Sequence, residues 1–116
     1  MSNPTLIWHN PRCSKSRQTL ALLEQRGITP EVFEYLKTPP TQAQLEQVLS
    51  MLNLSPRELM RTKESEYKAQ GLADADDAQL LQAMLATPKL IERPIVVHQQ
   101  RAAIGRPPEQ VLEIFD

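Results

Sequence analysis

The first third of the chain alternates short apolar runs with amphipathic and polar stretches. Residues 5–9, with Leu6-Ile7-Trp8 at their centre, read as a first strand. Residues from about 14 to 26 then place Leu20 and Leu23 on one helical face with Leu22 beside it, and Gly27 supplies the stop. Residues 31–36 (Glu-Val-Phe-Glu-Tyr-Leu) read as a second strand. A strand, helix and strand in so short a space form a βαβ unit, whose strands must be parallel and whose crossover is right-handed.

Pro39-Pro40 interrupts the pattern, and a helical region over about 41–86 follows. Three capping signals divide it. Thr41 with Gln44 opens a helix that aligns Leu45, Val48, Leu49 and Leu52. Ser55-Pro56-Arg57-Glu58 opens a second. Asp76 with Gln79 opens a third, which carries Leu80, Leu81, Met84 and Leu85. Between them, the charged stretch 63–68 reads as a solvated helix face. Residues 94–97 and 102–104 are short apolar runs joined by the polar link 98–101, which predicts an antiparallel hairpin. Pro107-Pro108 opens a last helix bearing Val111, Leu112, Ile114 and Phe115. The economical way to bury these faces is a four-stranded mixed sheet packed by helices. This predicts an α/β chain of thioredoxin-like architecture, one domain over residues 1–116 with a helical insertion at about 41–90.

Length is sufficient for one domain with its own core. A net charge of −1 gives no electrostatic case for nucleic acid or an anionic membrane. The N-terminal apolar run is too short for a signal peptide and nothing approaches a membrane span, so a cytoplasmic protein is expected. In that compartment the sequon Asn53-Leu54-Ser55 carries no glycan. A single cysteine rules out an internal disulfide and a cysteine-rich zinc site. No metal or bound cofactor is expected.

That cysteine, Cys13, lies in His9-Asn-Pro-Arg-Cys-Ser-Lys-Ser-Arg17, between the first strand and the first helix. A thiol reacts as thiolate, and helix N-termini and nearby cations lower its pKa. Backbone N–H groups after Cys13 would converge on an anion there. Arg12, Lys15 and Arg17 either add charge at the thiol or point to solvent. Ser16 stands where a dithiol enzyme has its second cysteine. It either donates to the thiolate or caps the helix. Arg93-Pro94 precedes a predicted strand, where thioredoxin-like folds place a cis-proline beside the active cysteine; that is a fold-level analogy. It would bring Arg93 next to Cys13. Gly105-Arg106-Pro107 repeats Arg-Pro at the other end of the hairpin. Two arginines beside a reactive thiol fit a tetrahedral oxyanion.

The Cys13 segment resembles the active-site loop of the glutaredoxin-coupled arsenate reductases, the ArsC family, in its YfgD-type branch. Leu59-Met-Arg61-Thr-Lys-Glu64, Ile91-Glu-Arg93-Pro-Ile-Val96 and Ile104-Gly-Arg106-Pro107 resemble its three arginine motifs, in order and spacing along nearly the whole chain. The resemblance implies that Cys13 attacks arsenate to form a thiol adduct, and that Arg61, Arg93 and Arg106 bind the oxyanion. Arg61 comes from the resemblance alone, since it falls beside the stretch read as solvated. His9 either tunes the charge of the loop or is a strand-end histidine bonded to backbone. With no second cysteine, glutathione as co-substrate and glutaredoxin as partner would complete the reduction. The family's usual Gly-Thr after the cysteine is Ser14-Lys15 here, which alters the anion loop and adds a charge to the site. Two other functions share the exposed thiol. One is an Spx-like partner-binding regulator; the other is a glutathione-dependent thiol transferase without arsenate activity.

Overall fold

A computed structural model of the chain describes residues 5–115. The expectation about a leader concerns residues that begin before Thr5, outside those described. Two compact units emerge. One combines the segment ending at Thr38 with the segment beginning at Arg93; the other is Pro39–Glu92.

The first unit is built on a mixed four-stranded sheet in the order β2-β1-β3-β4, the α/β architecture expected. Its strands are β1 (Leu6–Trp8), β2 (Glu31–Phe33), β3 (Ile95–His98) and β4 (Arg101–Ile104). β1 pairs parallel with β2 and antiparallel with β3, and β3 pairs antiparallel with β4. Helix α1 (Ser14–Gln25) links β1 to β2. It ends as its sequence dictates: Gly27 takes φ +76°, and the Ile28 N–H reaches back to the Leu23 carbonyl at 2.9 Å. Ile7, Leu23, Val96, Val111 and Ile114 form the core on one side of the sheet. Successive strand residues point to opposite faces, so Trp8 emerges on the other side, edge-on to Phe33 at 5.4 Å.

Three local expectations change. β2 stops at Phe33, because the chain turns and buries Tyr35 beside Trp8. The hairpin link is only Gln99-Gln100, both at positive φ, so His98 and Arg101 are strand residues. The last helix is a 3-10 helix, Pro108–Phe115. Its buried residues are Pro108, Val111 and Ile114, a strict three-residue spacing. At three residues per turn that spacing puts the buried side chains directly above one another.

The second unit holds α2 (Gln42–Leu52), α3 (Pro56–Leu59), α4 (Ser65–Ala69) and α5 (Asp77–Ala86). Thr41, Ser55 and Asp76 each form the reciprocal capping box their sequences announce. The second of these helices is a single turn. Arg57, on it, donates to the Tyr67 hydroxyl and to the carbonyls of Leu72 (3.2 Å) and Ala75 (2.9 Å), tying down the irregular segment that follows. Residues 59–61 and 90–92 run antiparallel, with Arg61 N–H to Leu90 O at 2.7 Å and Glu92 N–H to Leu59 O at 2.9 Å. No helix among the described residues is long and apolar enough to cross a membrane.

Candidate active site

Cys13 is the N-cap of α1, with extended backbone angles. The Asn-Pro turn before it sets this geometry. The Asn10 carbonyl accepts the Cys13 N–H at 3.0 Å, and its side-chain oxygen accepts the Arg12 N–H at 3.0 Å. The thiol is half-buried and caps nothing itself. It sits where the unpaired N–H groups of the first helical turn point.

Partial burial pushes the Cys13 pKa up, but a larger set of donors outweighs it. The backbone N–H groups of Ser16 and Lys15 and the Arg93 guanidinium bring the thiol below its ordinary value of 9.0. Arg106 stands on the same sulfur, its Nη2 at 3.7 Å from Sγ. Its Nε donates to the Arg93 carbonyl at 2.8 Å, so the two Arg-Pro corners are joined. Both Arg-Pro peptides are cis, at Pro94 as the fold analogy anticipated and also at Pro107. Gly105 makes this approach possible. A Cβ there would stand 2.8 Å from Pro94 Cγ and closer still to Thr19 Oγ1 on α1.

His9 and Ser16 lie beneath the loop, both buried. The Ser16 hydroxyl meets His9 Nδ1 at 2.6 Å and accepts the Asn10 N–H at 3.0 Å. Ser16 therefore neither caps α1, since Cys13 holds that position, nor turns its hydroxyl to the thiol. Its backbone N–H serves the sulfur while its side chain holds the preceding turn. Burial lowers the His9 pKa; Glu34 opposes that and Arg17 adds to it, and the ring stays below its ordinary 6.5. Arg17 clasps the turn from outside, Nη1 to Pro11 O at 2.9 Å, while Arg12 and Lys15 are exposed.

Cys13, Arg93, Arg106, Pro94, His9 and Ser16 all belong to the first unit. Arg61 belongs to the second and is held by two carboxylates, Nε to Glu64 at 2.9 Å and Nη1 to Glu92 at 2.7 Å. Burial works against its charge, but Glu64 and Glu92 more than compensate and hold it protonated. Glu64, Glu92 and Asn10 are the participants that sequence reasoning missed. The first two stand in the same motifs as the arginines, and the Asn-Pro dipeptide is itself a turn signal.

Comparison with known proteins agrees in one direction. The family model described as "ArsC family" matches residues 8–114. The YfgD protein of Escherichia coli (strain K12) is 56% identical over 98% of this chain and 98% of its own. An arsenate reductase of Neisseria meningitidis is 49% identical over 90% and 92%. The solved structure of an arsenate reductase from Vibrio cholerae superposes with TM-score 0.94 at 51% identity, covering 98% of this chain and 99% of that one.

Proposed function

The chain belongs to the ArsC family, and from that premise we propose that it reduces arsenate to arsenite through Cys13. The observation that carries this reading is one sulfur approached by the Arg93 and Arg106 side chains at the start of a helix. The same donors that favour a thiolate in the free protein would receive an oxyanion's negative oxygens when the sulfur attacks its centre. Arg61 is proposed as a third oxyanion ligand, its charge maintained by Glu64 and Glu92.

In the first step the Cys13 sulfur forms a bond to arsenic(V), and an arsenic–oxygen bond breaks. The departing oxygen leaves as water with protons from solvent. Arsenic remains pentavalent. In the second step an external thiol, glutathione, attacks the Cys13 sulfur. A sulfur–sulfur bond forms, the sulfur–arsenic pair stays on arsenic, and arsenite departs. A second thiol, supplied by glutaredoxin, then attacks the mixed disulfide and returns Cys13 to thiolate. Two thiol electrons have reduced one arsenic centre. The chain's single cysteine makes external thiols necessary, and a reducing compartment such as the cytoplasm keeps it ready.

The test is turnover of arsenate by purified protein with glutathione and glutaredoxin, run beside Cys13→Ser. The expected result is arsenite formation by the wild type and none by the variant. Undiminished turnover by Cys13→Ser would overturn the mechanism. Thiol–disulfide exchange without arsenite formation would identify a thiol transferase instead.

A further inference from the structure

Helix α1 buries one stripe of side chains, Ser16, Thr19 and Leu23. Leu23 belongs to the apolar core, and Ser16 holds the loop beneath the thiol. Thr19 lies between them, fully buried, a polar residue where the inward face of a helix is ordinarily apolar. Its hydroxyl donates to the Lys15 carbonyl one turn back, at 2.8 Å. That bond satisfies the buried donor and fixes the rotation of the side chain. Opposite Thr19 stands Gly105. Unlike Gly27 and Gly71, Gly105 does not take a positive φ, so its missing side chain serves space and not backbone conformation. A Cβ there would collide with Thr19 Oγ1, and would stand 3.2 Å from Thr19 Cγ2 and 2.8 Å from Pro94 Cγ. The Gly105 backbone is therefore packed between α1 and the cis-proline.

We propose that Thr19 is a positioning residue for the thiol: its hydroxyl contact with Gly105 sets how closely the Arg106 corner approaches the first turn of α1, so that backbone and arginine donors meet on one sulfur. The two ends of this contact lead directly to Sγ. Cys13 lies six residues before Thr19 on the same helix, whose Ser16 and Lys15 N–H groups serve the sulfur. Arg106 directly follows Gly105 and places Nη2 at 3.7 Å from Sγ. The corner moves as a piece. Gly105 N–H donates to the Pro94 carbonyl at 2.9 Å, Arg106 N–H to the Ile104 carbonyl at 2.9 Å, and Arg106 Nε to the Arg93 carbonyl at 2.8 Å. The guanidinium is thus tied to the backbone that Thr19 touches, and a shift of that backbone carries it off the sulfur. Thr19 acts through Arg106. The inference rests on the reading of Cys13 as the reactive group and adds the residue that aligns its two sets of donors.

The test needs no arsenate. It reads the midpoint of Cys13 alkylation against pH in a double-mutant cycle with Arg106→Ala. In the wild-type background Arg106→Ala should raise the midpoint by about one pH unit, the scale of a cation beside a thiolate. In a Thr19→Ala background the same replacement should raise it by about half of that or less, because the guanidinium has already left the sulfur. Thr19→Ser keeps the hydroxyl and its bond to Lys15, and should retain most of the wild-type Arg106 effect. A role in packing alone would lower the denaturation midpoint of Thr19→Ala and leave the Arg106 effect whole, and that result would overturn the proposal. So would an equal loss of the effect in Thr19→Ser and Thr19→Ala. Failure of arsenate turnover would leave this cycle intact, so the two readings fail separately.

Discussion

The Cys13 sulfur is met by donors of two kinds, and they can be separated. Backbone N–H groups of Ser16 and Lys15 come with the helix, while Arg93 and Arg106 come from the far end of the chain. Arg93→Ala should therefore raise the midpoint of the alkylation-versus-pH curve toward the ordinary 9.0 without restoring it fully, as read with iodoacetamide. Loss of either arginine should also raise KM for arsenate about tenfold or more, since a hydrogen bond to a charged group contributes about 1.5–3 kcal/mol. His9 gives a second prediction with a definite sign. Its folded pKa lies below 6.5, so the unfolded chain takes up the proton first as pH falls. The stability it contributes is complete above about pH 6.5 and is lost as pH falls through the folded value. Denaturant midpoints should decline on acidification in that window, and His9→Gln should flatten the decline. Cys13 itself was legible from its neighbours. The buried Ser16–His9 bond was not, because a C-x-x-S spacing says nothing about which way a hydroxyl turns.

At the scale of elements, the caps were the most readable features. Each of the three boxes is a local exchange of hydrogen bonds between residues three apart, so no distant contact can overrule it. Thr41→Ala should cost about 1 kcal/mol, measured by chemical denaturation. The 3-10 character of Pro108–Phe115 was hidden because four apolar residues satisfy an α-helical pattern equally well; burial of only Pro108, Val111 and Ile114 decides it. Gly105 is the critical hinge between β4 and the Arg106 corner. Gly105→Ala would drive a Cβ into Thr19 and Pro94. The expected outcome is a loss of about 1–3 kcal/mol in stability, together with slower alkylation of Cys13 at fixed pH as Arg106 is displaced.

At the scale of the molecule, the two strand pairs and their union in one mixed sheet followed from chain logic, a βαβ start and a hairpin near the end; the antiparallel β1–β3 seam that joins the pairs was visible only in the structure. The second unit was legible in its helix starts but not in its irregular stretch, where Arg57 substitutes for regular structure by binding a hydroxyl and two carbonyls. Nor could sequence show that Arg61 is held by Glu64 and Glu92, which lie three and thirty-one residues away. A ligand that binds only the folded chain stabilises all of it. In Cys13→Ser, where no adduct forms, arsenate at a hundredfold excess over its Kd should add about 2.7 kcal/mol. Calorimetry should show a rise in Tm on the order of 10 °C, cut to about half or less when Arg106→Ala is added at the same arsenate concentration.

The first unit is written in two pieces, with Cys13 in one and Arg106 93 positions later in the other. During translation at about 5–20 residues per second, the cysteine emerges several seconds before its arginines exist. Helix α1, only twelve residues long, is marginal by itself in water. The nascent sulfur is thus an ordinary thiol during that interval. Its side-chain donors arrive only once Arg93 and Arg106 have been made, and a product truncated before them carries the cysteine without its arginines.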